Sequence, residues 1–120
     1  RLGGKRNVIA GMTRHASFGP CVLFGLGGIY AEALEDTAVR VAPLSGIDAG
    51  AMTREIKGKA LLGEFRKMPP VDMRALTSIL QAISFIGLLH PEIAEIDLNP
   101  VIIQGDSPVV VDALMTLAKT

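Results

Sequence analysis

A chain of 120 residues, 49% of them hydrophobic and 20% charged, is long enough to bury a core and fits one domain, or one lobe of a larger one, better than a whole enzyme. Its 12 basic and 12 acidic side chains cancel to a formal net charge of zero and are interspersed, so no field draws nucleic acid or a membrane surface. No apolar run reaches the roughly 18 residues of a membrane span and no segment resembles a signal peptide, so a cytoplasmic protein is expected.

In chain order, Asn7 to Thr13 alternates weakly and Pro20 to Phe24 is a short apolar run. These predict two strands joined by a turn around Arg14 to Gly19. Cys21, the only cysteine, excludes an internal disulfide and a Cys-rich zinc site, and its apolar run predicts a small core residue. After Phe24 come Gly25, Gly27 and Gly28, then an acidic amphipathic segment containing Glu32 and Asp36. Such a strand exit either cradles a phosphate or is only a tight turn. Thr37 to Ala42 predicts a third strand ending at Pro43.

Ser45 followed by Asp48 reads as a capping box opening a helix to about Lys57, stopped by Gly58. Asp72 is the expected N-cap of a second helix. Its apolar residues Met73, Leu76, Ile79, Leu80, Ile83, Ile86 and Leu89 recur at helical spacing and end before His90-Pro91. The tail places two β-rich runs around Gln104-Gly105-Asp106-Ser107-Pro108, a β-hairpin. Strands mixed with a few helices predict an α+β domain over residues 1–120, a partly antiparallel mixed sheet packed with helices.

If the hairpin turns about Gly105 and Asp106, Ile103 faces Pro108, Val101 faces Val110 and Asn99 faces Asp112. Paired Cβ atoms lie about 4.5–5.5 Å apart, within reach of one shared cation. Strand alternation puts Asp97 on the face of Asn99, with Ile96, Leu98, Ile102, Val109 and Val111 on the other face against the second helix. Few hard oxygen ligands without His or Cys suit Mg²⁺ completed by water and substrate phosphates. The alternative is that Asp97 and Asp112 are solvent-facing strand ends and Asn99 a turn residue before Pro100. A one-residue slip would separate the pair.

The segments AGMTRHASFGPCVLFGLGGIYAEALEDTAVRVAPLS, AEIDLNPVII and VVVDALM closely resemble the C-terminal part of the ATP-grasp region of NDP-forming acyl-CoA synthetases. This is the family of ADP-forming acetate-CoA ligase, distantly similar to the succinyl-CoA synthetase β subunit. The resemblance covers nearly the whole chain. It implies one lobe of an ATP-grasp fold that grips ATP or ADP while a phosphoryl group moves, within an enzyme that interconverts acid, CoA and ATP with acyl-CoA, ADP and phosphate through an acyl phosphate and a phosphohistidine. It further implies Asn99 and Asp112 as Mg²⁺ ligands, and Asp97 where relatives have a Glu facing the phosphohistidine. Gly25, Gly27 and Gly28 would form a loop near the cleft, with Glu32 facing the site. Arg40 either contacts a phosphate or pairs with an acid.

The glycines fit neither G-x-G-x-x-G, since Tyr30 stands three after Gly27, nor a P-loop, since no Gly-Lys-Ser/Thr follows. The family usually has Glu within the segment where this chain has Lys5-Arg6-Asn7-Val8, Asp at His15, and often Asp-Ala-Arg where Asp112-Ala113-Leu114 stands. His15 is therefore expected on a surface loop rather than as the phosphorylated histidine, and His90 as a helix C-terminal cap. A chain opening on Arg1 suggests a fragment, whose partners would be the nucleotide, the other ATP-grasp lobe and a CoA-binding domain or subunit. Alone it is expected not to turn over, and its exposed apolar surface to favour self-association. Two further readings stand beside this one: a regulatory module of a protein lysine acetyltransferase, and a decayed lobe.

Overall fold

Alternating apolar residues in the first part of the chain build an antiparallel meander: β1 (Arg6–His15), β2 (Gly19–Leu26) and β3 (Thr37–Val41). The structure is a computed structural model that describes residues 6–27, 36–65 and 67–118. Val8, Ala10 and Met12 of β1 pair with Leu26, Phe24 and Val22 of β2, and Phe24 in turn with Ala38 of β3. All of these side chains are buried. They form one continuous apolar face because cross-strand partners point the same way.

Two helices cover that face. Ser45 and Asp48 make the expected capping box, Asp48 N donating to Ser45 Oγ at 3.0 Å and Ser45 N to Asp48 Oδ2 at 3.1 Å, and open α1 (Gly46–Glu55). After a 3₁₀ turn at Lys59–Leu62, Asp72 caps α2 (Met73–Leu89) by accepting from Ala75 N at 3.1 Å. Leu76, Leu80 and Ile83 of α2 are buried, with Ile79 and Ile86 packed beside them. Met73 and Leu89, at the ends of the predicted stripe, are exposed, because the helix outruns the sheet it packs on. At Gly87 the missing side chain lets α2 approach the sheet, since a Cβ there would meet Pro20 Cβ at 3.1 Å and Met12 Cγ at 3.3 Å.

The tail holds three strands: β4 (Ile93–Gln104), β5 (Ser107–Val110) and β6 (Ala113–Leu117). The sheet runs β3-β2-β1-β4-β5, with β6 also on β4. Every ladder among the described residues is antiparallel. β5 and β6 lie end to end along the same edge of β4. The hairpin turn uses Gly105 at φ +63°, a conformation that costs glycine little.

The expected hairpin register is present: Val101 pairs Val110 and Ile103 pairs Pro108. The expected face assignment is only half right. Between β1 and β4 the register shifts, Val8 facing Val101 but Ala10 facing Leu98. Asn99 and Pro100 therefore stand against the single residue Ile9, a β-bulge. The bulge inverts the alternation, so the core face carries Ile96 and Leu98 before it and Val101 and Ile103 after it. Ile102 and its partner Val109 consequently lie on the other face, and Val111 is exposed rather than packed on α2.

The candidate metal and nucleotide half-site

One face of the sheet packs on the helices, and among the described residues no helix covers the other, here called the open face. β-Pairing places Asp97 beside Gly11 and Leu114, and Gly11 beside Leu23, which pairs with Val39. This row lies opposite the buried one, and Asp97 is exposed on it. Gly11 has no room for a side chain, because an added Cβ would collide with the Ile96 carbonyl oxygen of β4.

The bulge at Asn99 falls where the neighbouring edge also breaks, between the end of β5 and the start of β6. Across this double break Leu98 still pairs with Ala113 and Val101 with Val110. Asn99 therefore faces Asp112. The backbone records the pairing directly: Asn99 N donates to the Asp112 carbonyl at 3.2 Å and Val111 N to the Pro100 carbonyl at 3.1 Å. Asn99 and Asp112 are both exposed, an amide and a carboxylate on facing strand positions. Asp97 follows two residues back on β4, about 7 Å along the strand.

Among the described residues no three His, Cys, Asp or Glu side chains gather to hold a metal ion. A two-ligand oxygen site finished by water and phosphate is what these residues fit, and Mg²⁺ accepts such a site. A cavity of about 430 Å³ lies elsewhere, between α2 and the segment around Pro43 and Leu44, lined by Gln81, Ser84 and Phe85 among others. No ionisable side chain lines it, and none of the predicted site residues does.

Arg40 stands apart from this group. It pairs with buried Val22, hence on the helix-covered face, and donates from Nη1 and Nη2 to Glu55 of α1 at 2.9 and 3.3 Å. Hydrogen bonding to Glu55 raises its pKa further above its ordinary value. Of its two predicted roles, the geometry carries the pairing with an acid.

Gly25 and Gly27 lie at the end of β2 and just beyond it, next to β1 and β3. Neither adopts positive φ, so they are not the freely turning residues of the tight-turn reading. They provide space: a Cβ on Gly25 would meet the Asp36 carbonyl at 2.7 Å, and one on Gly27 would meet Asn7 Cβ at 3.0 Å. Gly28 and Glu32 lie outside the described residues.

Asp36 is buried and accepts from the backbone of Lys57 at 2.5 Å and Gly58 at 2.7 Å. Both of its carboxylate oxygens are thus used to terminate α1. His15 is exposed at the β1–β2 turn, where its Nδ1 accepts from Ser17 N at 3.0 Å, and His90 is the C-cap of α2. Cys21 is half-buried on the open face rather than in the core, because it pairs with Thr13 and Val41 there.

The sequence reading missed Arg6. It is 4% exposed, and its guanidinium donates to four backbone carbonyls: Leu61 at 3.0 Å, Gly63 at 3.1 Å, Pro69 at 2.8 Å and Gly105 at 2.7 Å. No local spacing signals it, since these acceptors lie 55 to 99 residues away. Beside it, Asn7 Oδ1 is buried without a hydrogen-bond partner among the described residues.

Residues 1–117 match the family model of an ATP-grasp domain. The chain is 47% identical over 112 residues to the β subunit of acetate–CoA ligase (ADP-forming) I of Pyrococcus furiosus, covering 93% of this chain and 48% of that subunit. It is 40% identical over 118 residues to acetate–CoA ligase (ADP-forming) I of Archaeoglobus fulgidus, covering 98% of this chain and 17% of that protein. Among solved structures, the dinucleotide-forming acetyl-coenzyme A synthetase 1 of Ca. Korarchaeum cryptofilum superposes with a TM-score of 0.90 at 46% identity, over 94% of this chain and 53% of that one. That protein was solved in complex with coenzyme A and Mg-AMPPCP, with its phosphohistidine segment pointing towards the nucleotide binding site.

Proposed function

Since the chain belongs to the ATP-grasp domain family, alongside the ADP-forming acyl-CoA ligases, we propose that it forms the Mg-nucleotide-binding wall of such a ligase, with the open face of the sheet toward the nucleotide. The observation that carries this reading is the placement of Asn99 opposite Asp112 at the double break in the hairpin. An exposed amide oxygen and a carboxylate at that spacing suit a hard cation that keeps water and phosphate ligands. Once bound, the ion supplies neutralisation of phosphate charge.

The chain's own residues contribute positioning. Asp112 brings one negative charge and Asn99 none, so a divalent ion held between them keeps positive charge to offer to phosphate oxygens. Asp97, on the same face, is the carboxylate placed to meet an approaching phosphohistidine by accepting from its imidazole N–H. Glu32 is kept in this reading as a residue of the site, whereas Gly27 spends its N–H on the Asn7 carbonyl at 3.0 Å and is left to close packing. Arg40 is left to Glu55. The chain spans about half the length of the P. furiosus subunit, and the full reaction, from acid, CoA and ATP to acyl-CoA, ADP and phosphate, draws in this proposal on a second ATP-grasp lobe and a CoA-binding part.

The test is a calorimetric titration of Mg·ADP into the chain and into Asn99→Ala and Asp112→Ala, with circular dichroism to verify folding. Binding that both substitutions abolish is expected. Equal binding by the folded variants would remove the hairpin from the site.

A further inference from the structure

We propose that Arg6 is a positioning residue for the Asn99–Asp112 pair: it pins the tip of the β4–β5 hairpin and so holds the bulged register that sets the two side chains opposite each other. The inference rests on the reading of that pair as a metal-nucleotide half-site.

Packing locates β4, through buried Val101 and Ile103, but not the β5 strand and the turn of the hairpin. No residue of β5 is buried, and the turn residues Gln104 to Ser107 are exposed. Register is specified weakly wherever neither face of a strand is buried. The bulge adds a second ambiguity, because the extra residue opposite Ile9 can be accommodated one position earlier or later along β4. Moving it one position earlier would turn Asn99 from the open face toward the core.

Polar clamps at the tip remove this freedom. Arg6 Nη2 binds the Gly105 carbonyl at 2.7 Å, and Asp72 N donates to the Asp106 carbonyl at 2.8 Å. The remaining Arg6 bonds reach the Leu61, Gly63 and Pro69 carbonyls, so one guanidinium ties the hairpin tip to the segment that precedes α2. Arg6 itself pairs with Ile103 in the ladder beyond the bulge. The clamp and the ladder thus act on the same half of β4, the half that begins next to the extra residue at Asn99 and Pro100.

The acceptors are carbonyls from three separate stretches, and no acidic side chain is among those the guanidinium binds. A planar fork with five donors serves four such acceptors at once, whereas an ammonium group does not match their directions.

The experiment compares the parent chain with Arg6→Gln and Arg6→Lys by amide hydrogen exchange and by Mg·ADP titration. In Arg6→Gln the amides of Asn99 and Val111 are expected to exchange at least about tenfold faster, while the Gly11 and Leu23 amides, a hydrogen-bonded pair of the β1–β2 ladder, keep their protection. Mg·ADP affinity is expected to fall by a comparable factor. Arg6→Lys should restore both in part, since it keeps the charge but not the fork. Should Arg6→Gln fail to fold, Arg6→Lys is read on the same two measures. Unchanged exchange at Asn99 and Val111, or a uniform rise across all ladders, would overturn the proposal. Absence of Mg·ADP binding in the parent chain would refute the half-site, and with it the functional part of the inference, while the exchange data would still decide whether Arg6 sets the register.

Discussion

At the residue scale, similar chemical groups take different roles according to the face they occupy. Asp36 and Asp112 are both carboxylates near strand ends. Asp36 is buried and spends both oxygens on the backbone of Lys57 and Gly58, whereas Asp112 is exposed opposite Asn99. A carboxylate whose lone pairs are engaged by backbone donors is part of the architecture, and an exposed one beside an amide oxygen is open to a cation. Arg40 gives the sharpest test of this distinction. Arg40→Ala should reduce stability by only about 0.2–1 kcal/mol, as for other partly exposed ion pairs, and should leave Mg·ADP binding unchanged. A urea titration with calorimetry on the same variant checks both, and a marked loss of affinity would return Arg40 to the phosphate site.

At the element scale, α2 and β4 show how far periodicity carries. The helical stripe from Met73 to Leu89 is legible because the helix rests on the sheet through its middle turns. Its ends are not, because only the sheet's width decides where burial stops. Leu80→Ala should therefore cost about 2–5 kcal/mol, and Leu89→Ala less than about 0.5 kcal/mol, measured by urea unfolding. Equal losses would mean that the C-terminal turn of α2 is packed after all. β4 contains a departure that alternation cannot express. A two-residue period assigns Ile102 to the core, but the extra residue at the bulge hands that face to Val101 and Ile103.

At the scale of the whole molecule, the sheet is one-sided. Helices bury one face, while Val39, Val41 and Leu114 are 50%, 46% and 63% exposed on the other. No helix among the described residues is long and apolar enough to cross a membrane. This apolar face is the one that the proposed function turns toward the nucleotide. With a formal net charge of zero at pH 7, little repulsion keeps two such faces apart. The 120-residue chain is expected to self-associate near pH 7 and to do so less at pH 9 or in a Val41→Lys, Leu114→Lys double variant. Light scattering reads this directly, and a monodisperse chain near neutrality would contradict it.

Much of this protein was legible before any coordinates. Alternation located β1 and β3 and a short apolar run β2, capping residues located the starts of both helices, and the symmetry of the turn about Gly105 and Asp106 set Asn99 opposite Asp112. These signals are local: each depends on residues within a few positions of one another along the chain or across one tight turn. The resemblance to acyl-CoA synthetases lay in the same local motifs. Tertiary structure alone decided which face each strand presents after the bulge, that Arg40 meets Glu55, and that Gly25 and Gly27 serve close packing rather than positive φ. It alone brought Arg6 to carbonyls far along the chain. Those outcomes depend on which surfaces meet when distant segments pack, and buried groups must then find partners wherever the fold supplies them.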